Sequence, residues 1–128
     1  MRLTEHFTRE ELACKCGCDR MEIPGQFLQD LERFRQDAGF SFVISSGYRC
    51  PKHNAEVSST GSNGPHTKAA VDIRVFGKQA LTLMALALDS GIWTGIGVNQ
   101  KGQQGQRFIH VDQLGNEPGQ PRPWVWTY

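Results

Sequence analysis

An α+β fold, with helices ahead of and between the strands of one small sheet, is what this sequence predicts. Two observations carry that expectation. Apolar residues recur at helical steps of four, three and four in Phe27, Leu31, Phe34 and Ala38. Short runs rich in β-branched and aromatic residues then alternate with helix-favouring and loop-like stretches, with no internal repeat and no interdomain linker.

The elements follow in order. Thr8-Arg9-Glu10-Glu11 is a capping box, in which the Thr accepts the amide three residues on and a Glu reaches back, so a short helix is expected before the cysteine cluster. Pro24 suits a first helical position, and Gly39 suits the residue just past the end of the next helix. Phe40 to Ser45 reads as a strand, ended by Gly47 and the Cys50-Pro51 step. Pro51 opens a short helix through Val57, and residues 58 to 65 are almost pure loop composition. A strand is expected over Ala69 to Val75 and a third substantial helix over Lys78 to Leu88, closed by Gly91. Ile92 to Val98 and Arg107 to Val111 are two further strands, joined by a polar loop. The tail, Pro118 to Tyr128, carries two of the three Trp residues and is expected to pack onto the domain.

Size and composition bound the function. Residues 1–128 fit one domain, and 38% hydrophobic with 21% charged residues is ordinary globular composition. Fourteen basic against 13 acidic residues give a net charge of +1, which offers no electrostatic case for nucleic acid or an anionic membrane as partner. The longest apolar-leaning run, Ala80 to Leu88, falls well short of the ~20 residues that span a bilayer. Met1-Arg2-Leu3-Thr4-Glu5-His6 lacks the apolar core of a secretory signal, so synthesis in the cytoplasm is expected. A monomer is expected too. Cys14, Cys16, Cys18 and Cys50 read first as free or locally paired thiols. A closed four-thiolate zinc site is the alternative, although its usual signature has two residues between paired cysteines and this cluster has one.

The chemistry gathers elsewhere. His66 ends the glycine-rich loop, and Asp72 lies in the strand that follows. In Phe108-Ile109-His110-Val111-Asp112, the His and the second Asp fall on one face, because side chains two apart on a strand point alike. If the two strands are neighbours, His66, Asp72 and His110 converge as two imidazoles and a carboxylate, the donor types of a catalytic zinc with an open position. On spacing alone, a His in such a loop is more often a solvated side chain.

Ser46-Gly47-Tyr48-Arg49-Cys50-Pro51-Lys52-His53-Asn54, then Gly64-Pro65-His66-Thr67-Lys68-Ala69-Ala70-Val71-Asp72-Ile73, then Phe108 to Asp112 resemble the motifs of the M15 peptidases. These are zinc D-Ala-D-Ala carboxypeptidases and related phage and bacterial peptidoglycan endopeptidases. The ordered resemblance runs from about His6 to Tyr128 and includes Arg122-Pro123-Trp124. It implies a central antiparallel sheet of the kind shared with the hedgehog signalling domain. It implies one catalytic zinc held by His66, Asp72 and His110, with Arg49 contacting substrate, and with Asn54, also a substrate-binding candidate, and His53 at a supporting motif position. A second, cysteine-bound ion stands outside that pattern.

Two positions depart from the family. Five residues separate His66 from Asp72 where six are usual, so the loop before the strand must absorb the difference to keep Asp72 on the metal face. Many members carry an acid three residues before the last His, and here that residue is Arg107. Asp112 is therefore the candidate general base, or else a group supporting the metal ligands. Trp124 and Trp126 read as core packing or as a wall of the substrate groove, and Trp124 is the substrate-binding candidate of the two.

The function expected is hydrolysis of peptide bonds in peptidoglycan by metal-activated water, at the cell wall, as in a phage lysin or prophage-encoded relative. A non-catalytic wall-binding or phage structural module that keeps the fold is the alternative.

Overall fold

A computed structural model describes all residues, 1–128. Helices α1 (Arg9–Leu12), α2 (Gly25–Ala38), α3 (Pro51–Val57) and α4 (Gly77–Ser90) accompany strands β1 (Val43–Ser46), β2 (Ala70–Arg74), β3 (Gly95–Asn99), β4 (Phe108–Asp112) and β5 (Trp124–Thr127). The capping box forms: Thr8 Oγ1 accepts from the Glu11 amide while the Glu11 carboxylate accepts from the Thr8 amide. Gly39 and Gly91 close α2 and α4 in the left-handed conformation, at φ 77° and 69°.

The five strands form one sheet in the order β1-β2-β4-β3-β5. Four of them pair antiparallel, as the resemblance implies, but β5 joins β3 in parallel and makes the sheet mixed. The tail is thus an edge strand, an element that neither periodicity nor turn chemistry announced. The first strand also starts later than expected. Phe42 leaves the strand to enter the core, where its ring packs on Phe34 (centroids 5.5 Å apart) and Phe40 (5.7 Å).

Alternation along the strands gives the sheet two unlike faces. Val71, Ile73, Ile109, Val111 and Ile96 are buried on one face with the apolar stripes of α2 (Phe27, Leu31, Phe34) and α4 (Ala80, Leu83, Ala87). Trp93 completes this core, with its ring 5.4 Å from Phe27 and 5.3 Å from Phe34. The opposite face carries Asp72, His110 and Asp112. Register decides this, because Asp72 stands directly across from His110, and His110 from Gly97.

The N-terminal segment is fastened by a buried charge. Glu32, on α2, accepts from the Thr4 hydroxyl (2.7 Å), the His6 amide (2.8 Å) and the Gln36 amide group (3.0 Å), and pairs with His6 Nδ1 (2.6 Å). Burial alone would raise its pKa, but these partners hold it down at about 2, against an ordinary 4.5. A carboxyl lowered in the folded state stabilises above its unfolded pKa, and that stability is lost as pH falls through the folded value. Urea denaturation between pH 4.5 and 2 should show falling stability. Glu32→Gln should reduce the total loss over this range by up to about 3 kcal/mol; an unchanged pH dependence would show that this carboxylate is not the anchor.

Candidate metal centre

His66 sits on a single 3₁₀ turn, Pro65–Thr67, immediately before β2. Its Nδ1 lies 2.8 Å from the Gly47 carbonyl, an obligate acceptor, so Nδ1 donates to it and Nε2 is the nitrogen that faces Asp72. Nε2 lies 3.2 Å from Asp72 Oδ1. From the other side, His110 Nδ1 lies 2.9 Å from the same oxygen. The 3₁₀ turn and Lys68 absorb the shortened His66–Asp72 spacing, so Asp72 keeps the face it shares with His110.

The three ligand atoms lie within 4.8 Å of one another, on buried residues. Burial opposes ionisation of Asp72, yet the charges and hydrogen bonds of His66 and His110 hold its carboxyl far below the ordinary range. His110 is likewise raised, against burial, by its bonds to Asp112 and Asp72. This donor set, two imidazoles each oriented through their second nitrogen and one ionised carboxylate, fits a zinc ion.

Behind His110 the polar chain continues. His110 Nε2 lies 2.8 Å from Asp112 Oδ2, and Asp112 has no exposed surface. Arg122 grips Asp112 with two parallel bonds, Nε to Oδ1 at 3.0 Å and Nη2 to Oδ2 at 2.7 Å, and the Leu114 amide adds a third at 3.3 Å. Burial notwithstanding, the bonds from His110 and Arg122 hold the Asp112 carboxyl at about 2. Its oxygens are fully engaged inside the protein, and it does not line the cleft.

The face that carries Asp72 and His110 opens into a cleft of about 530 Å3, lined by His66, Asp72 and His110 among others. Arg49, just past β1, reaches it. Its Nε donates to Ser46 Oγ (3.1 Å), its Nη1 to Asn54 Oδ1 (2.9 Å), and its amide to the His66 carbonyl (2.8 Å). Asn54 is buried and tied by its Nδ2 to Thr60 and Gly61, so it braces Arg49. His53 takes no part in the cleft lining; its amide donates to Cys50 Sγ (3.4 Å). Arg107 turns away, donating to the Gly102 carbonyl at 3.1 and 2.8 Å.

The tryptophans of β5 form a cleft wall rather than core. Trp124 is 52% exposed, while the Trp126 ring stands 5.0 Å from His110 and 5.1 Å from the Arg122 guanidinium carbon. Sequence reasoning gave no role to Arg122 or to Gly95 and Gly97, which face Trp124 and Trp126 across the β3–β5 pair. A Cβ on Gly97 would stand 2.7 Å from the Trp126 ring, and one on Gly95 would overlap the Asp112 carboxylate. The signals present were the Arg-Pro-Trp run and a Gly-X-Gly inside a strand, which marks close approach.

The sequence profile of the Peptidase M15 family matches residues 5–112. The chain belongs to the M15 peptidases. No curated protein and no solved structure matches it. Peptidases of this family are zinc-dependent, which agrees with the donor set assembled here. The match ends at Asp112, so Arg122 and the aromatic wall of this M15 peptidase lie beyond the matched stretch.

Because Gly95 leaves room for the Asp112 carboxylate, Gly95→Ala should cost about 1–3 kcal/mol by overpacking and loosen the bound metal. Gly25→Ala, at the open start of α2, should be neutral or stabilising by up to about 1 kcal/mol. Thermal denaturation and metal titration of both variants check this. Equal behaviour of the two would refute a packing role for Gly95.

Proposed function

We propose that this M15 peptidase is a zinc enzyme that hydrolyses amide bonds in the stem or cross-link peptides of bacterial peptidoglycan, acting at the cell wall as a monomer. The observation that carries the reading is the convergence of His66, Asp72 and His110 on one side of an open cleft. The family supplies peptidase activity, and the ordered motifs resemble those of its wall-degrading members. Arg49 lines the cleft without a carboxylate partner, whereas Arg122 is paired with Asp112 and Lys68 with Glu117. Such a cleft suits a peptide that carries free carboxylates, as stem peptides do.

When bound, zinc would polarise the scissile carbonyl and bring the pKa of water down to about 7. The protein's own groups prepare that site. The Gly47 carbonyl fixes the tautomer of His66, and Asp112, clamped by Arg122, fixes the ring of His110. Arg49 is held by Ser46 and Asn54 with Nη2 unengaged, placed to meet a substrate carboxylate or the developing oxyanion. Trp124 and Trp126 shield one side of the cleft. The full engagement of Asp112 favours a positioning role for it over the general-base role expected from the sequence.

Zinc stoichiometry and mass spectrometry of digested muropeptides test this together. His66→Ala and His110→Ala should each lose the cleft metal and all cleavage. Undiminished cleavage by metal-stripped protein would sink the proposal. Asp112→Asn should weaken metal retention about 10–100-fold. Should it keep full zinc affinity and lose only turnover, the base role is restored. Arg49→Ala should lower kcat/KM by about 10²–10³ with zinc retained.

A further inference from the structure

A second group of metal-type ligands stands apart from the cleft. Cys14 follows α1, Cys16 and Cys18 lie on the turn after it, and Cys50 caps α3 from 34 residues away in sequence from Cys16. All four sulfurs lie within 4.8 Å of one another. Cys14 Sγ and Cys16 Sγ are 3.4 Å apart, and Cys16 Sγ and Cys50 Sγ 3.7 Å. Four sulfurs at about 2.3 Å around a tetrahedral zinc would stand about 3.8 Å from each other. A disulfide needs about 2.05 Å and joins sulfurs in exclusive pairs. Here Cys16 stands nearly equidistant from two partners, an arrangement of a cluster rather than of a pair.

We propose that Cys14, Cys16, Cys18 and Cys50 hold a structural zinc ion, distinct from the one in the cleft.

The backbone supports this assignment. The Cys50 amide donates to Cys14 Sγ (3.3 Å) and the His53 amide to Cys50 Sγ (3.4 Å), the kind of backbone N–H···S bond that orients a sulfur ligand. The one-residue spacing is accommodated because the chain does not run extended through the cluster. Gly17 at φ 92° and Asp19 at φ 58° turn it back, and the Cys14 amide closes the loop on the Arg20 carbonyl (2.8 Å). Cys14 and Cys50 are buried while Cys16 and Cys18 are exposed, so an ion can enter from solvent and be closed over by the turn. Binding would displace the thiol protons to solvent as the four Zn–S bonds form.

The ion would staple the N-terminal segment to the segment that builds the cleft. Cys50 directly follows Arg49; the Tyr48 amide donates to the Leu12 carbonyl (2.8 Å), and the Gly47 carbonyl holds His66. Gly47 also lies against Leu12 so closely that a Cβ there would stand 2.6 Å from its carbonyl oxygen. The role is structural, and it holds whether or not the cleft reading is correct.

Cobalt substitution of the reduced protein decides the matter. The wild type should show the intense near-ultraviolet charge-transfer band of thiolate-bound Co2+, and so should a His66→Ala/His110→Ala variant. Cys16→Ser/Cys18→Ser, changed at the exposed positions, should lose the band and one of the two zinc equivalents found by elemental analysis. A wild type without the band, a band that survives loss of Cys16 and Cys18, or two disulfides in protein isolated under reducing conditions would overturn the proposal. A wild type with the band and one zinc equivalent, lost only in the cysteine variant, would uphold it while removing the cleft ion.

Discussion

Asp72 and His110 face each other across the β2–β4 ladder, and everything at the cleft depends on that pairing. In an antiparallel pair, opposed side chains lie on one face a few ångströms apart, and a slip of one residue sends either of them to the other face. Here the other face is the apolar core, packed by Val71, Ile73, Ile109 and Val111. A slip of β2 would thus place a carboxylate among aliphatic side chains and expose Val71 and Ile73, and a slip of β4 would bury the His110 imidazole there and expose Ile109 and Val111. The same burial that holds the domain together therefore locks the register of the candidate metal ligands.

Around this pair runs a line of polar and charged partners: Arg122, Asp112, His110 and Asp72, with His66 Nε2 at its end. Buried charges carry a desolvation penalty of several kcal/mol each unless fully partnered, and removing one member strands its neighbour. The line begins at Arg122, whose side chain reaches back from just before β5 to grip Asp112 on β4. Parallel pairing of β5 with β3 then lays Trp126 beside both His110 and Arg122. Gly95 and Gly97 make the room. On a strand otherwise flanked by large side chains, two missing Cβ atoms admit a carboxylate and an indole ring.

Arg49 and His66 are positioned by a different device. Both hang on the Gly47–Cys50 segment, which is pressed against the end of α1. The cysteine cluster sits at that junction. The helical layer and the N-terminal segment thus reach the cleft through two tethers, one of thiols and one of Glu32 with its hydrogen-bonded partners.

What the sequence determined by itself was local or periodic. The capping box, the stripe of α2, the short Pro51 helix and the alternation of His110 with Asp112 are written in spacing, because backbone geometry fixes which side chains share a face. The three motifs further pointed to His66, Asp72 and His110 as one set. What tertiary structure alone decided depended on chain segments far apart. Arg122 against Asp112 requires β5, whose parallel pairing has no local signal, since a parallel partner is chosen by long-range packing and not by a turn. The placement of Asp112 inside the protein rather than on the cleft has the same origin, as what surrounds a residue is decided by the fold. The tryptophans became a wall because their partner strand carries glycines. The four sulfurs converge because positive φ at Gly17 and Asp19 turns the chain back on itself, which a spacing rule for paired cysteines does not register.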